Sequence, residues 1–230
     1  MNRRMRLAAT GLAIGLTAAA LPLAAHAGAG ADTVVSRSYP WTSDRLTLRV
    51  PADVTYHPGP TWHVTLRAPE RTMRELVVKD GLIKAKPHTC FSLIPFCISF
   101  GNSVEDTVHV DITGPALRTI KVDGSAKIHL DQVHQDRLTL RIDGSARVRG
   151  SGSVNDLAVV IDGSGSVHLG QLTEQRASVD INGAGRVAVA PTESVSVHIH
   201  GAGDVRLHSN PPHVSSHIEG AGEVTRVTSG

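Results

Sequence analysis

The chain has 230 residues, of which 40% are apolar, 19% charged and 3% aromatic, and its formal net charge is +2. This length allows one large domain or two small ones, and the abundance of Val, Ile and Leu at low net charge excludes general disorder. Three basic residues, Arg3, Arg4 and Arg6, belong to the N-terminal leader, and without them 20 basic residues stand against 21 acidic ones. This balance argues against nucleic acid as a partner.

The first 27 residues have the pattern of an export signal. A basic start is followed by an apolar run over 7–25 and then by Ala25-His26-Ala27, which fits the small-x-small cleavage pattern. We expect a mature chain that begins near Gly28, with 28–44 as an N-terminal segment; an uncleaved anchor is the alternative. No later run approaches the ~20 apolar residues of a membrane span. The sequence therefore predicts an exported protein, periplasmic, cell-surface or secreted, without a transmembrane segment in the mature chain.

Residues 45–110 are predicted to form a β-rich N-terminal part. All seven aromatic residues lie before residue 101, and strands are expected at 46–50, 63–66, 76–78 and 108–112. Asp80-Gly81 between two apolar stretches indicates a hairpin. Residues 45–56 resemble a degenerate copy of the repeat described below, with Pro51 in place of its glycine.

The two cysteines, Cys90 and Cys97, predict a local disulfide because an exported chain meets an oxidising compartment. A redox pair and a metal site with His88 are weaker alternatives, because the C-x-x-C spacing and a fourth ligand are missing. The loop between them is unusually apolar. It either caps the end of the fold or docks a partner or membrane through Phe91, Ile94 and Phe96.

The second half is a repeat. The phrase Ile142-Asp143-Gly144-Ser145-Ala146 recurs in six variants, and the spacing of its glycine is 18 to 20 residues. These glycines, which we call the corner glycines, are Gly124, Gly144, Gly163, Gly183, Gly201 and Gly220. A fixed period of this length is typical of solenoids.

Apolar residues alternate with polar ones on both sides of each corner glycine, for example at Leu140 and Ile142 before Gly144. A period of two indicates half-buried strands, so 111–230 is predicted to be an all-β, β-solenoid domain with coils of ~19 residues. An antiparallel meander of hairpins is the alternative. Ser216 and Arg226 take inward positions in the last unit, as expected of a polar final coil.

The chain resembles the head GIN domain family of exported bacterial proteins, often labelled autotransporter adhesins. The resemblance rests on the hairpin at 78–82, the P-x-L-x-x-I-x-x-x-G-S join at 115–125 and the serial G-S-G or G-A-G corners. The apolar insert at 87–101 departs from the family pattern. The resemblance implies a β-helix-like fold and an exported location, and it implies very little chemistry.

Three polar ladders follow from the repeat. The residues before the corners could bind a cation such as Ca²⁺ or cap their own turns: Asp123, Asp143, Asp162, Asn182, His200 and Glu219. Two further ladders after the corners contain the predicted ligand-binding residues, which are Lys127, His129, Arg147, Arg149, His168 and Arg186. They form a basic stripe, continued by Arg206, that would hold an anionic glycan or lipid headgroup or simply be a solvated face. His198, His200 and His217 share one face and suggest a weak metal site or a pH-sensitive patch.

No catalytic residues are predicted. The serines are turn residues, and no G-x-S-x-G elbow is present. Neither a cofactor nor a metal is called for by the residue pattern. The sequence therefore predicts a non-enzymatic binding or adhesion module, with an anionic glycan or another envelope component as its partner. An envelope structural or regulatory protein is the alternative, followed by a polysaccharide-active enzyme, and the oligomeric state stays open.

Overall fold

The computed structural model of the chain describes residues 33–86 and 106–227, and the backbone of 89–93 and 96–100. This part of the chain is all-β apart from one short helix. Its N-terminal elements are β1 (Val34–Tyr39), β2 (Arg45–Arg49), β3 (Ala52–Pro58), β4 (His63–Pro69), α1 (Glu70–Glu75), β5 (Leu76–Lys79), β6 (Leu82–Ala85), β7 (Thr89–Leu93), β8 (Phe96–Phe100) and β9 (Val108–Gly114).

The repeat region supplies the remaining strands, some of which continue through the corners. They are β10 (Thr119–Gly163), β11 (Ser166–Gly183), β12 (Arg186–Gly201), β13 (Asp204–Leu207), β14 (His213–Gly220) and β15 (Glu223–Arg226). Thirteen strands make one large mixed sheet. Its main path runs β1-β4-β9-β3-β10-β11-β12-β13-β15, and β7 and β8 form a separate antiparallel pair.

Successive repeat units pair in parallel and in the same phase. Ile161 lies opposite Ile181, Ile181 opposite Ile199, and Ile199 opposite Ile218. The corner glycines of neighbouring units are therefore neighbours as well, and Ala184 N–H donates to the carbonyl of Gly163 at 2.9 Å. The parallel register excludes the antiparallel meander for these units, since hairpins would pair them in opposite directions.

The N-terminal strands continue this stacking. Leu46 and Leu48 of β2 lie opposite Ile120 and Val122, and Val54 of β3 lies opposite Ile128. Residues 45–56 therefore have the phase that the degenerate-repeat interpretation predicted. The chain then departs from the repeat, because β4 is antiparallel to both β1 and β9.

The strands expected in the N-terminal part are confirmed as β2, β4, β5 and β9, and the Asp80-Gly81 hairpin is confirmed by the antiparallel pairing of β5 with β6. The helix α1 was not predicted. It is short and follows Pro69, and it buries Thr72 and Met73. Within 88–97, where a stapled loop is expected, the described backbone of β7 forms an antiparallel pair with β8.

One hydrophobic core runs along the stacked strands from Trp41 to Leu207. It includes the apolar positions that the alternation predicted; Val179, Ile181 and Ile199, for example, are completely buried. Burial of each such side chain contributes about 1.5–3 kcal/mol relative to exposure. The residues between them point outward, and this alternation places the polar ladders on the surface.

The last unit is the least buried. Ser216 and Arg226 lie opposite Val197 and Leu207, at the inward positions that the sequence predicted for them. The apolar Val214 and Ile218 of the same unit are each 37% exposed.

Candidate functional site

The six predicted ligand-binding residues lie at outward positions of neighbouring strands. Arg147 lies opposite Ser166, which lies opposite Arg186, and this first ladder continues to Asp204. Arg149 lies opposite His168, which lies opposite Ala188, and this second ladder continues to Arg206. Lys127 and His129 occupy the matching positions of β10, where they pair with Asp53 and Thr55 of β3.

These ladders share one surface because each of their residues alternates with a buried one. Val148 separates Arg147 from Arg149, and Val167 separates Ser166 from His168; both valines are completely buried. Strands of a parallel sheet lie about 4.8 Å apart, so the cationic groups follow one another at that spacing. We call this surface the basic face; it consists of the six predicted residues together with Arg206.

Most arginines of the basic face lack the close carboxylate partner that most arginines elsewhere in the described structure have. Among the described residues, no carboxylate lies within 4.0 Å of the guanidinium groups of Arg147, Arg149 or Arg206, and Arg186 reaches Asp204 only at 4.0 Å. Four arginines on other surfaces are paired closely: Arg49 with Asp123 at 2.8 Å, Arg67 with Asp111 at 2.6 Å, Arg141 with Asp162 at 2.8 Å and Arg176 with Asp156 at 2.7 Å. Positive charge is therefore left uncompensated on one face.

His168 lies at the centre of this uncompensated charge. Its pKa is lowered first by partial burial of the imidazole and then by the positive charges of four arginines, which are Arg149, Arg147, Arg206 and Arg186. Both causes disfavour the protonated ring. The effect shows that all four guanidinium groups act on one point of the surface.

The basic face contains concave regions, two of which are lined by most of the predicted residues. One groove of about 330 Å³ follows the stacked corners, where the hydroxyls of Ser125, Ser145 and Ser164 lie beside Lys127 and Arg147. A second, wider depression of about 720 Å³ is lined by polar and small residues, namely His129, Asp131, Arg149, Gly150, Ser151, His168, Gly170, Gln171, Ala188 and His208. Hydroxyl, imidazole and guanidinium donors together are suited to oxygen-rich anions.

The acidic ladder before the corners is bridged by basic side chains. Lys121 Nζ lies 2.9 Å from Asp123 and 3.2 Å from Asp143, and Arg141 continues the chain to Asp162. Burial opposes ionisation of Asp123, but the bonds from Lys121 and Arg49 outweigh it and hold the pKa of Asp123 below its ordinary value. These carboxylates act as partners of the protein's own cations. Within 33–86 and 106–227, no group of three His, Cys, Asp or Glu side chains is arranged to hold a metal ion.

The predicted histidine patch is formed on β12 and β14. His200 Nε2 and His217 Nε2 lie 3.2 Å and 3.0 Å from the two carboxylate oxygens of Glu219, and the ring of His198 lies 6.3 Å from that of His217. The bond from His217 and the charge of His200 lower the pKa of Glu219. The patch is exposed and is separate from the basic face.

The structure places a carboxyl group in the core that the sequence analysis missed. Glu174 is completely buried, at a position that pairs with Val154 on one side and Pro191 on the other. Burial raises its pKa to about 8, against the smaller opposing effect of the bond from Ala190 N–H. An alignment of the repeat units would have shown Glu174 at a position where the neighbouring units have the apolar residues Val154 and Pro191.

Several predicted features lie outside the described residues. They are the leader over 1–27 and the side chains of the apolar hairpin, including the candidate docking residues Phe91, Ile94 and Phe96 and the candidate disulfide between Cys90 and Cys97. Where side chains are described, the basic face therefore carries the predicted site. In the part of the chain that the structure describes, no helix is long and apolar enough to cross a membrane.

Comparison with protein families decides the affiliation of the chain. The model of the family described as "Putative auto-transporter adhesin, head GIN domain" matches residues 44–211, which is most of the chain. The chain belongs to the head GIN domain family. The match includes the basic face, and it ends before the last repeat unit. Comparison with curated proteins gave no significant match.

Two solved structures align with this head GIN domain chain over most of its length. A Bacteroides fragilis protein named "putative adhesin" superposes with a TM-score of 0.59 at 16% identity, covering 85% of this chain and 97% of that one. A Parabacteroides distasonis protein named "putative lipid binding protein" gives a TM-score of 0.45 at 18% identity, covering 86% and 98%. At these identities the likeness to the Bacteroides fragilis protein shows the fold.

Proposed function

We propose that this head GIN domain protein is an exported, non-enzymatic binding module, and that its basic face binds an anionic polymer of the cell envelope or surface. The observation that supports this most strongly is the contrast in ion pairing. Arg147, Arg149 and Arg206 have no close carboxylate in the described structure, whereas most arginines on other surfaces do, among them Arg141 and Arg176. A merely solvated face would not require this contrast, because mixed charges keep a surface soluble.

The proposed scaffold is a β-solenoid over 111–230, preceded by the β-rich part over 45–110. The in-phase, parallel pairing of repeat units supports it, as does the hydrogen bond from one corner to the next. Such a scaffold repeats the same outward position every ~4.8 Å. A linear polymer with regularly spaced negative groups would therefore meet one cation after another.

Export is part of the proposal. The basic and apolar leader over 1–27 and the Ala25-His26-Ala27 pattern support it, and so does the adhesin-like naming of the family. The mature chain, from near Gly28, would then meet the anionic glycans of the envelope or of another surface.

The chemistry around His168 supports a binding role over catalysis. Ser166 Oγ lies 3.5 Å from His168 Nδ1, which is the beginning of a nucleophile and base arrangement. In the described part of the chain, however, no carboxylate bonds to His168, and its pKa is held low by burial and by four arginines. A base needs an orienting partner that favours its protonated form, and here the surroundings oppose that form.

The proposal is tested with the full chain, expressed with its leader and purified from the exported fraction. Binding is measured to dextran sulfate, polygalacturonate and a teichoic acid, with neutral dextran for comparison, at low and high salt. We expect salt-sensitive binding to an anionic polymer. Since each cation near an anionic surface contributes about 1 kcal/mol, the triple variant Arg147→Ala/Arg149→Ala/Arg186→Ala should bind roughly 100-fold more weakly.

A matched control removes three charges from other surfaces, at residues without a close carboxylate partner in the described structure. Arg37→Ala/Lys79→Ala/Arg226→Ala has the same net charge as the triple variant and leaves the basic face intact. It should bind like the wild type. Equal losses in both triple variants, or no binding to any anionic polymer, would contradict the proposal.

A further inference from the structure

The basic face has a depression at Ala188. Ala188 takes an outward position on the second ladder, between His168 on one side and Arg206 on the other. Its methyl group does not fill the space that a longer side chain would take. Although it points outward, Ala188 is only 8% exposed, so its neighbours close around it. The result is a depression of about 230 Å³ with Ala188 as its floor.

Cationic and imidazole groups form the rim of this depression. Arg186 lies two residues before Ala188 on the same strand and face, and His168, Arg206 and His208 complete the lining. His208 packs against Gly170: a Cβ on Gly170 would come within 2.9 Å of the imidazole ring. The glycine therefore allows His208 to reach the unit of His168, two units before its own, and His208 borders both this depression and the wider one beside it.

The charges around the depression are strongly unequal. Arg147, Arg149, Arg186 and Arg206 all act on His168. The carboxylates that line the two depressions are Asp204, which is 4.0 Å from Arg186, and Asp131, which lies 3.3 Å from His57. His129 borders the wider depression as well. Positive charge therefore exceeds negative charge here even with every imidazole neutral.

We propose that the depression over Ala188 is a subsite for one tetrahedral oxyanion, a phosphate or sulfate group, held by Arg186 and Arg206 and by the imidazoles of His168 and His208. This rests on the proposed function in one respect only, namely that the group is carried there by an anionic polymer. Hydrogen-bond donors surround the depression on three sides: His168 lies in the unit before Ala188, Arg186 on the same strand as Ala188, and Arg206 and His208 in the unit after it. A group with three or four acceptor oxygens can satisfy all of them, whereas a carboxylate offers two.

Binding of the oxyanion is coupled to a proton. In the free protein, partial burial and the neighbouring arginines disfavour protonated His168. An anion within hydrogen-bond distance favours the protonated ring, because it accepts from it and offsets the arginine charge. Oxyanion binding and protonation of His168 must then reinforce each other.

The test uses inorganic phosphate, inorganic sulfate and acetate as probes of the full exported chain, with histidine side-chain NMR as the readout. Phosphate and sulfate should shift the His168 and His208 signals saturably and raise the titration midpoint of His168 by more than half a pH unit. Acetate at the same ionic strength should do neither. His134, on another surface, is the internal reference.

Two variants distinguish binding of the oxyanion in the depression from a general effect of positive charge. Arg206→Ala should abolish the oxyanion response of His168, whereas Arg37→Ala, which removes the same charge elsewhere, should preserve it. Ala188→Leu retains every charge but fills the depression, and it should also abolish the response. An unchanged response in Ala188→Leu, or equal shifts with acetate, would overturn the proposal.

The outcomes also distinguish this proposal from the proposed function. Polymer binding without any oxyanion response at His168 would overturn the subsite and leave the basic face as the binding surface. An oxyanion response without binding to any anionic polymer would support the subsite and overturn the proposed function. If both hold, phosphorylated and sulfated oligosaccharides compared side by side identify which group occupies the depression.

Discussion

Glu174 Oε2 accepts a hydrogen bond of 2.9 Å from the backbone N–H of Ala190 in the neighbouring repeat unit. The register between the two units shifts on both sides of this point, and the residue opposite Glu174 is Pro191, which has no N–H to donate. The glutamate thus provides an acceptor where the regular strand pairing is interrupted. Its other oxygen, Oε1, is buried and has no hydrogen-bond partner within the described structure.

We expect this buried carboxyl to make the protein less stable as the pH rises. Burial raises the pKa of Glu174 from 4.5 to about 8, so folding favours the protonated form. The stabilisation is complete below about pH 4.5 and is lost as the pH rises through 8. At roughly 1.4 kcal/mol per pKa unit, the loss is on the order of 5 kcal/mol at most. Denaturant unfolding from pH 5 to 9 measures it.

Glu174→Gln should remove most of this pH dependence, because glutamine accepts the same bond from Ala190 without ever ionising. The variant should be more stable than the wild type at pH 9. Glu223→Gln, at an exposed position, is the control and should follow the wild type. A wild-type stability that is flat between pH 5 and 9 would contradict the prediction.

Two corner glycines allow the steric effect of the neighbouring unit on the free energy of unfolding to be measured separately from backbone strain. Gly124 and Gly183 have nearly the same φ, +126° and +129°, in the left-handed region. A Cβ on Gly124 would meet nothing within 4 Å, whereas one on Gly183 would lie 2.5 Å from the carbonyl oxygen of Gly163. Both alanine variants bear about 1–3 kcal/mol of strain, and Gly183→Ala should lose roughly 1–3 kcal/mol more.

The difference in unfolding free energy between these two variants is the quantity to measure. Because their φ values match, backbone strain cancels in the comparison. Equal losses in Gly124→Ala and Gly183→Ala would mean that the units do not approach each other as closely as the structure describes.

A lysine at Ser166 should strengthen binding to an anionic polymer. Ser166 is the neutral gap in the first ladder, between Arg147 and Arg186. Ser166→Lys closes the gap and should tighten binding roughly fivefold, since one added cation near an anionic surface contributes about 1 kcal/mol. The salt dependence should become steeper. Ser178→Lys adds the same charge on another surface, and a similar gain there would show that net charge alone is responsible.

Export and disulfide formation are checked together by mass spectrometry of the exported protein. We expect its N-terminus at or near Gly28, since the cleavage pattern ends at Ala27. Cys90 and Cys97 should resist alkylation until a reductant is added. Reduction should leave the repeat region folded, because the buried apolar residues of the stacked repeat strands form its core. A retained leader or two freely alkylated thiols would contradict the respective predictions.

The strand phase of the repeats could be predicted because the period-two pattern has only one arrangement that buries Ile181, Ile199 and their equivalents. A shift by one residue would expose the whole apolar set. The degenerate repeat at 45–56 followed from the same pattern. The helix α1 could not be predicted, since six residues are too few for a helical period and tertiary packing of Met73 holds it in place.

The candidate site, too, could be predicted only in part from the sequence. The sequence by itself determined which residues point outward and therefore that Lys127, Arg147, Arg149 and Arg186 share one face, since alternation along a strand is a local property. Only the tertiary structure decided which arginines find a carboxylate, that Ala188 floors a depression beside Arg206 and His208, and that Glu174 is buried. These features depend on contacts between residues about 20 positions apart, where a shift of a single residue in register changes every partner.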